Sequence, residues 1–409
     1  MWHKWSTSCH PSIQRAALFA DLLMQGGFME NVKVGMVAGE ASGDMLAGLL
    51  LGGLRSNNVA VQSMGIGGPQ MKAYGFDAWW SYHELAVRGY VEVLRHYRRI
   101  VGIRRALLER LLAGKPALFI GVDAPDFNLD LERDLRANGV KTVHFVSPSI
   151  WAWRPERIEK IRVACDHVLC IFPFEVAIYE AAGIPATYVG HPFADIYPLV
   201  PDKAGARRQL GLAGDGPLVA ILPGSRTAEI KYLLPDFLAA AQRIRDMKPG
   251  VRFVIPAAPR QHSRIMQGLV HANMMDLDWI HVVEGQSAAA LTASDCTLIA
   301  SGTATLEAAL ARCPMVIAYK MPLLSWWLTQ RKRLQPWVGL PNILAERFVV
   351  PELLQDDVSP NRLAAEAMRW LTDAQAHEAA CTTFRSLHET LKMDPAKVAS
   401  NAIQKVLAS

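Results

Sequence analysis

The stretches LVAILPGSR (Leu218–Arg226) and CTLIASGTATLEAAL (Cys296–Leu310) share one strand–turn–helix pattern, and this pattern decides the fold. Each begins with a short apolar run suited to a buried strand, passes through a turn with glycine and hydroxyl side chains, and continues as a helix. Short strands that alternate with helices are typical of parallel sheets covered by helices on both faces. Such sheets bind ligands just beyond the carboxyl ends of their strands. The two stretches therefore predict a Rossmann-like domain whose ligand site lies in these turns.

The same alternation continues along most of the chain and predicts an α/β fold of two doubly wound, Rossmann-like domains facing each other across a cleft. Residues 30–195 form the first domain, residues 196–359 the second, and residues 360–409 are C-terminal helices. Residues 1–29 lack strand-like sequence, and we expect them to lie outside the fold, with the start of translation at Met29 or a nearby codon. The predicted strands are Val32–Val37, Val59–Gly65, Ala117–Val122, Lys141–Val146, His167–Ile171, Thr187–Val189, Leu218–Leu222, Arg252–Ile255, Ile280–Val283, Cys296–Ala300 and Met315–Ala318.

Composition excludes several classes of protein. The 409 residues carry a net charge of +5, a surplus too small to indicate nucleic-acid binding. Hydrophobic residues make up 51% of the chain, yet no apolar run approaches the ~18 residues that cross a bilayer. The six cysteines include no CxxC pair, so neither a zinc site nor a disulfide framework is predicted. The first turn, Ala38–Asp44, lacks the GxGxxG pattern, which argues against a dinucleotide cofactor.

The turn after Leu222 has the chemistry of a phosphate site. Gly224 permits a tight turn, the hydroxyl of Ser225 and the nearby backbone amides can face an anion, and Arg226 offers a fork suited to phosphate. An ordinary turn with a solvated arginine is the alternative. The segment Asp276–Asp278 matches the DxD pattern of metal-binding glycosyltransferases, but it precedes a strand, where a turn also favours aspartate. We therefore predict no metal.

The turn after Ala300 predicts a nucleotide site more strongly. Ser301 and Gly302 end the strand, and Thr303 lies in the first turn of a helix whose free amides favour a diphosphate. Glu307 is four residues further on and so lies on the same helical face, where its carboxylate can accept hydrogen bonds from ribose hydroxyls. The alternative is a capped amphipathic helix with a glutamate on its surface. The Thr-to-Glu spacing resembles the nucleotide-sugar motif of GT-B glycosyltransferases.

The first half offers a different set of strand-end residues. Glu40, Ser42 and Gly43 form the first loop, in which glycine lets a substrate approach the backbone; a tight turn capped by Ser42 or Asp44 is the alternative. Asp123 follows its strand directly, and a carboxylate there is suited to be a general base. A structural turn aspartate is the alternative reading of Asp123.

Two further groups lie close to these loops. Asp126 and Asn128 are placed to cap the helix that follows Asp123. Trp151, Trp153 and Arg154 belong to one loop and could stack on a sugar or close over the site. The same tryptophans could equally be anchors of the core.

Seven segments resemble, in sequence and in order, the lipid-A-disaccharide synthase family of GT-B glycosyltransferases, over roughly residues 31–400. They are VAGEASGD (37–44), GVDAPDFN (121–128), VSPSIWAWR (146–154), GHPFAD (190–195), LPGSR (222–226), ASGTATLEAAL (300–310) and PNILA (341–345). The resemblance implies an inverting transfer of 2,3-diacylglucosamine from its UDP form to 2,3-diacylglucosamine 1-phosphate. The product would be the β-1,6-linked lipid A disaccharide 1-phosphate, and no metal or other cofactor is implied.

The resemblance also assigns roles to residues in both halves. Asp123 matches the family's proposed base, which would accept the proton of the acceptor's 6-hydroxyl. The residues that match the UDP-binding motifs are Arg226, Thr303, Glu307 and Asn342, and those that match the first loop are Glu40 and Ser42.

The segment Met321–Val338 is typical of a surface that docks on anionic lipid, because apolar and tryptophan side chains precede a basic cluster. The residues concerned are Leu323, Leu324, Trp326, Trp327, Arg331, Lys332 and Arg333. The arginine-rich stretch 87–112 is a second candidate, and packing of either segment on its own domain is the alternative. Because the donor and the lipid acceptor are both acylated, we expect a peripheral protein on the cytoplasmic face of the inner membrane. A homodimer is compatible with the sequence.

Two other classes of protein share the predicted architecture. A UDP-sugar 2-epimerase would bind UDP in the same way but would need acid–base groups around C2 of the sugar. A non-catalytic UDP-sugar or lipid-binding protein would keep the Gly302–Glu307 motif and have no use for Asp123. Formation of a new disaccharide by the purified protein distinguishes the transferase from both.

Overall fold

The computed structural model describes residues 32–85, 90–212, 214–275, 278–322, 326–327 and 334–409, with the backbone alone for residues 90–97. The chain divides into two compact units. Unit 1 extends to Pro192 and also contains Met393–Ser409, whereas unit 2 is Phe193–Lys392.

Unit 1 is built on a seven-stranded parallel sheet with the strand order β3-β2-β1-β4-β5-β6-β7. Its strands are β1 (Val32–Ala38), β2 (Val61–Gly67), β3 (Asp77–Ser81), β4 (Leu118–Val122), β5 (Lys141–Phe145), β6 (His167–Cys170) and β7 (Ala186–Tyr188). The helices between them are α1 (Ala41–Ser56), α2 (Pro69–Lys72), α3 (Tyr90–Gly114), α4 (Pro125–Ala137), α5 (Arg157–Ala164) and α6 (Glu175–Ala181). The next helix, α7 (Pro192–Ile196), follows β7, and all of it except Pro192 belongs to unit 2.

Unit 2 repeats this architecture with a six-stranded parallel sheet in the order β10-β9-β8-β11-β12-β13. Its strands are β8 (Leu218–Leu222), β9 (Arg252–Ala257), β10 (Ile280–Glu284), β11 (Cys296–Ala300), β12 (Met315–Tyr319) and β13 (Glu352–Leu354). Its helices are α8 (Lys203–Gln209), α9 (Thr227–Met247), α10 (His262–His271), α11 (Ser287–Ala293), α12 (Ala304–Leu310), α13 (Leu340–Ala345), α14 (Pro360–Thr372) and α15 (Ala374–Leu391).

The predicted fold class, two parallel α/β domains, is confirmed. The central strands β4, β8 and β11 are buried along their whole length, because a parallel sheet covered on both faces buries both sets of side chains. The prediction lacked β3 and β13, which form one edge of each sheet. β3 has the half-buried sequence DAWWS, and β13 has only three residues, so neither has the apolar run that marks a buried strand.

Strand order reverses between β1 and β4 in unit 1 and between β8 and β11 in unit 2. At such a point the two neighbouring crossovers leave on opposite faces of the sheet, and a crevice opens at the carboxyl ends of the strands. The loops at these two points contain Glu40 and Asp123 in unit 1, and Arg226 and Gly302 in unit 2. The topology therefore brings each pair of predicted loops together.

The last helix, α16 (Pro395–Ala408), returns to unit 1 and packs against α1. A side chain at Gly53 would place its Cβ only 2.2 Å from the carbonyl oxygen of Ala396, so glycine permits this close approach. The amide of Asn57 also donates to the hydroxyl of Ser400 at 2.9 Å. The predicted segment of C-terminal helices, residues 360–409, is thus divided between the units. Within the described ranges, no helix combines the length and apolar composition needed to span a bilayer.

Candidate functional site

A cavity of about 380 Å³ lies at the carboxyl ends of β8 and β11 in unit 2. It brings together nearly all residues predicted for the donor: Gly224, Ser225, Arg226, Ser301, Gly302, Thr303 and Glu307. Its remaining lining includes Gly285, just after β10, and Ser287, the first residue of α11, neither of which the sequence motifs indicated. The structure therefore gathers two loops that lie about 80 residues apart in the chain into one concave site.

The loop after β8 is held by Glu229 at the start of α9. One carboxylate oxygen, Oε2, accepts hydrogen bonds from the backbone amides of Ser225 at 3.0 Å and Arg226 at 3.1 Å. Gly224 has φ +109°, and a Cβ there would lie 2.4 Å from Oε2 of Glu229, so this position requires glycine. The expectation that these two amides face a bound anion is wrong, because Glu229 already occupies them.

Arg226 itself is still placed to meet a phosphate. Its Nη1 lies 3.1 Å from Oε1 of Glu229, which fixes one end of the guanidinium, and the side chain is 76% exposed at the cavity wall. A glutamate three residues after the N-cap is the capping-box signal, and it could have identified Glu229 from the sequence.

The loop after β11 keeps its amides open. The hydroxyl of Ser301 donates to the carbonyl of Val338 at 2.9 Å, which fixes the loop, and Gly302 has φ +151°. Thr303 is the N-cap of α12, but its side chain makes no capping bond. Within the described part of the chain, the amides of Gly302, Thr303 and Ala304 donate no hydrogen bond. Three neighbouring donors beside a glycine are suited to bind diphosphate oxygens.

Glu307 is not the surface glutamate of the alternative interpretation. It is partly buried and lines the cavity with Thr303, and Tyr197 donates its hydroxyl to Oε2 at 3.0 Å. Burial raises the pKa of Glu307, and the bond from Tyr197 lowers it in part. No motif marks Tyr197, which lies 110 residues away in sequence.

Asn342 differs from the other predicted donor residues. It is fully buried, and its amide nitrogen donates to the carbonyl of Val350 at 2.9 Å and to Glu352 at 2.8 Å. Its amide oxygen accepts from the backbone of Val349 at 2.8 Å and of Val350 at 3.0 Å. All four hydrogen-bonding positions of this amide are thus used within the protein. The structure makes Asn342 a clamp for the segment before β13 and leaves it out of the cavity lining.

Asp123 lies at the carboxyl end of β4, as predicted. Asp123 and Ala124 both have left-handed backbone conformations, with φ +53° and +45°, which non-glycine residues rarely adopt. Asn128 is buried in α4 and donates its amide to the carbonyl of Asp123 at 2.7 Å, which holds this turn. Asp126 instead pairs with Arg157 at 2.5 Å. The prediction that Asp126 and Asn128 cap the helix is wrong, because α4 begins at Pro125 with Ala124 as its uncapped N-cap.

The electrostatic surroundings of Asp123 suit a base. Burial and the nearby carboxylate of Glu40 raise the pKa of Asp123, while the amide of Ala124 and the ring of His144 lower it. A raised pKa strengthens a carboxylate as a base near neutral pH. Glu40 is exposed and accepts a hydrogen bond from the hydroxyl of Ser42 at 2.7 Å, so both predicted first-loop residues are available at the surface.

The remainder of the first loop is structural. Gly43 is buried beside β4, and Asp44 accepts hydrogen bonds from the amides of Gly68 at 2.8 Å, Gln70 at 3.0 Å and Met71 at 3.2 Å. Asp44 therefore caps α2, the helix after the neighbouring strand, whereas the alternative interpretation had it cap its own helix.

The two tryptophans after β5 have different roles. Trp151 is half-buried; it donates its indole N–H to Glu175 at 3.0 Å and packs edge-on against Phe174, with ring centroids 5.3 Å apart. Trp153 is 45% exposed, and the guanidinium of Arg154 lies 4.2 Å from the centroid of its ring. Of the predicted group, Trp153 is the exposed residue, whereas Trp151 and Arg154 are both half-buried.

One cluster in the described residues has the composition of a metal site: Glu132, His144 and Cys165, whose ligand atoms lie within 4.8 Å of one another. These atoms already bond to each other, since His144 Nδ1 is 2.8 Å and Cys165 Sγ is 3.3 Å from Glu132. Burial raises the pKa of the Cys165 thiol well above its usual range, so the thiolate that a metal needs is disfavoured. The DxD-like residues Asp276 and Leu277 lie outside the described residues.

Of the residues predicted to dock on lipid, the structure describes Trp326, which is partly buried, and Trp327, which is 51% exposed. Leu323, Leu324, Arg331, Lys332 and Arg333 lie outside the described residues. In the second candidate, α3, Leu107 and Leu111 are buried and Arg104 pairs with Asp130 at 2.7 Å. This part of α3 packs on its own unit, as the alternative interpretation expected.

Comparison with known proteins agrees with the geometry. The family model described as lipid-A-disaccharide synthetase matches residues 34–406. The lipid-A-disaccharide synthase of Albidiferax ferrireducens is 54% identical over 389 residues, covering 94% of this chain and 100% of that protein. That of Verminephrobacter eiseniae is 53% identical over 390 residues, with 94% and 100% coverage.

Solved structures resemble this chain in fold. The UDP-GlcNAc 2-epimerase of Neisseria meningitidis, solved with UDP-GlcNAc, has a TM-score of 0.61 at 12% identity and covers 92% of this chain and 99% of that chain. MurG of Acinetobacter baumannii has a TM-score of 0.56 at 15% identity, with 92% and 100% coverage. At these identities the likeness concerns the fold alone.

Proposed function

The chain belongs to the lipid-A-disaccharide synthase family, and from that premise we propose that it transfers 2,3-diacylglucosamine from UDP-2,3-diacylglucosamine to 2,3-diacylglucosamine 1-phosphate. It is a glycosyltransferase, and its reaction gives the β-1,6-linked disaccharide 1-phosphate and UDP. The observation that carries the mechanism is the cavity of unit 2, where the loops after β8 and β11 meet beside Glu307.

The cavity supports the binding of the nucleotide part of the donor. Arg226 and the open amides of Gly302, Thr303 and Ala304 bind the diphosphate, because a planar guanidinium and neighbouring amides match phosphate oxygens. Glu307, oriented by Tyr197, accepts hydrogen bonds from the ribose hydroxyls. As the glycosidic bond to phosphate breaks, the same donors stabilise the charge that develops on UDP.

Asp123 is the proposed base. The 6-hydroxyl oxygen of the acceptor attacks the anomeric carbon, a C–O bond forms as the bond to UDP breaks, and the hydroxyl proton passes to the Asp123 carboxylate. Because burial raises the pKa of Asp123, the carboxylate holds this proton more firmly than an exposed aspartate would. The same shift predicts that activity is lost as pH falls through the raised pKa.

The epimerase alternative is not favoured. The epimerases share the fold at about 12% identity, whereas proteins named as synthases share about half of all residues over nearly the whole chain. A non-catalytic binding protein would have no use for a carboxylate held in a rare backbone conformation at the end of β4.

We propose that the reaction takes place at a membrane surface, because both substrates carry acyl chains, and that the protein acts on the cytoplasmic face of the inner membrane. The exposed Trp327 supports docking through the segment 323–333 on anionic lipid, since tryptophan beside basic residues favours the interface.

Mass spectrometry of products from the two acylated sugars tests the function, and Asp123→Asn tests the base. The variant should lose ~10²–10⁴-fold in turnover, the usual contribution of a general base, with UDP affinity nearly unchanged. Formation of no disaccharide by the unchanged protein would contradict the proposed function, and near-normal turnover of Asp123→Asn would contradict the assignment of the base.

A further inference from the structure

A buried pair of ionisable groups lies beneath the turn that carries Asp123. His144 is on β5 in register with Gly121 of β4, and both His144 and Glu132 of α4 are fully buried. Nδ1 of His144 is 2.8 Å from Oε1 of Glu132, and the thiol of Cys165 donates to the other carboxylate oxygen at 3.3 Å. The mechanism above uses none of these three side chains.

Gly121 makes room for this pair next to the base. A Cβ at Gly121 would lie 2.1 Å from Oε1 of Glu132 and 2.9 Å from Cβ of Asn128. Asn128 in turn donates to the carbonyl of Asp123 at 2.7 Å, and the amide of Asp123 donates to the carbonyl of Phe145, the residue after His144. Because Gly121 has no side chain, Asn128, which holds the Asp123 backbone, and Glu132, which pairs with His144, both fit beside it.

The groups of this network shift one another's pKa values. Burial lowers the pKa of His144, but Glu132 and Asp123 raise it by more, so the pKa of His144 lies above its usual value. The thiol of Cys165 stays neutral, because burial and Glu132 raise its pKa. For Asp123, the positive ring opposes the effects of burial and of Glu40. A buried ion pair is weak evidence for stability by itself, because removing both charges from water is costly.

The second ring nitrogen gives an independent reason to look beyond stability. Nε2 of His144 has no hydrogen-bond partner among the described residues, although it is buried. Oδ1 of Asn128, the residue that holds the Asp123 carbonyl, is also buried and has no hydrogen-bond partner among the described residues. A pair retained only for packing is expected to satisfy such atoms.

We propose that His144, protonated and paired with Glu132, is a positioning residue that keeps Asp123 anionic while it acts as the base. The inference rests on the proposed role of Asp123 and extends it. Burial raises the pKa of Asp123 and so makes it a stronger base. The positive His144 ring offsets the further increase in pKa caused by Glu40, so Asp123 still loses its proton before the acceptor binds.

The test is the pH dependence of kcat/KM in His144→Gln and Glu132→Gln. Each variant removes the positive charge, in the second case because the ring loses the partner that keeps it protonated. Relative to the unchanged protein, the ratio of kcat/KM at pH 6 to that at pH 8 should fall about three- to tenfold, because removing a charge that lowers the pKa of Asp123 raises that pKa. KM for the donor should change little, and the double variant should behave like either single variant. Titration of the acceptor's phosphate is common to all variants and cancels in this comparison.

His388→Gln is the matched control. His388 is also fully buried and bonded, to the carbonyl of Ala194 at 2.8 Å, but it belongs to unit 2. It should lower the melting temperature without changing the pH ratio. A ratio equal to that of the unchanged protein in both His144→Gln and Glu132→Gln, with Asp123→Asn inactive, overturns the inference alone. Near-normal turnover of Asp123→Asn overturns the proposed base instead.

If neither variant folds, nitrogen NMR of labelled histidine in the unchanged full-length protein decides the question. A His144 ring that stays protonated at pH 7 supports the inference, and a neutral ring at that pH overturns it.

Discussion

The contact between Tyr197 and Glu307 allows the donor site to be tested by a double-mutant cycle. Tyr197→Phe removes only the hydroxyl that donates to Oε2 of Glu307 at 3.0 Å and keeps the buried ring. A hydrogen bond to a charged group contributes about 1.5–3 kcal/mol. Losing this bond affects UDP affinity only indirectly, because the Glu307 carboxylate is then less well oriented toward the ribose. We therefore expect the Kd for UDP to rise about three- to tenfold, which is roughly 0.6–1.4 kcal/mol.

Glu307→Ala should have a larger effect because it removes the acceptor of both ribose hydroxyls. The expected loss is about 2–4 kcal/mol, or roughly a 30- to 1,000-fold rise in Kd. Since Tyr197 acts through Glu307, adding Tyr197→Phe to Glu307→Ala should change the Kd less than about twofold.

Isothermal titration calorimetry with UDP measures all four corners of this cycle. Tyr232→Phe, at an exposed position of α9 in the same unit, is the matched control and should leave the Kd unchanged. Additive effects of the two substitutions would mean that Tyr197 acts on UDP independently of Glu307. An unchanged Kd in Glu307→Ala would refute the reasoning altogether and place the ribose elsewhere.

Three further predictions concern other parts of the chain. Gly224→Ala should weaken UDP binding and cost about 1–3 kcal/mol of stability, because the residue has φ +109° and its Cβ would meet Glu229. Calorimetry measures the binding and thermal melting the stability, and unchanged values of both would contradict the geometry. Asn342→Ala should lower the free energy of unfolding by about 2–4 kcal/mol through unsatisfied buried amides, whereas a normal melting temperature with weak UDP binding would restore Asn342 to the donor site. Trp326→Ser with Trp327→Ser should reduce sedimentation with anionic liposomes while the protein stays folded, and unfolding of this variant would instead indicate a core segment.

Most of the fold could be predicted because its signals are local. Buried parallel strands such as β4, β8 and β11 are short apolar runs, and each is followed by a turn or helix pattern within a few residues. The edge strand β3, with its half-buried sequence, lacks such a signal, since it gains its strand conformation from pairing with β2. The return of α16 to unit 1 was also not predicted, because an amphipathic helix does not specify which sheet it covers.

The sequence by itself determined the fold class, the strand-end positions of Asp123, Arg226 and Gly302, and the family resemblance, since these depend on residue types within single motifs. Only the tertiary structure decided which carboxylate meets which partner. Glu229 takes the amides that were expected to face phosphate, and Glu307 is oriented by a tyrosine 110 residues away. Asn342 belongs to a motif, yet its side-chain amide forms all four of its hydrogen bonds with Val349, Val350 and Glu352. The physical reason is that a buried polar group must be satisfied by whatever the fold brings within about 3 Å of it, and no local pattern records that neighbour.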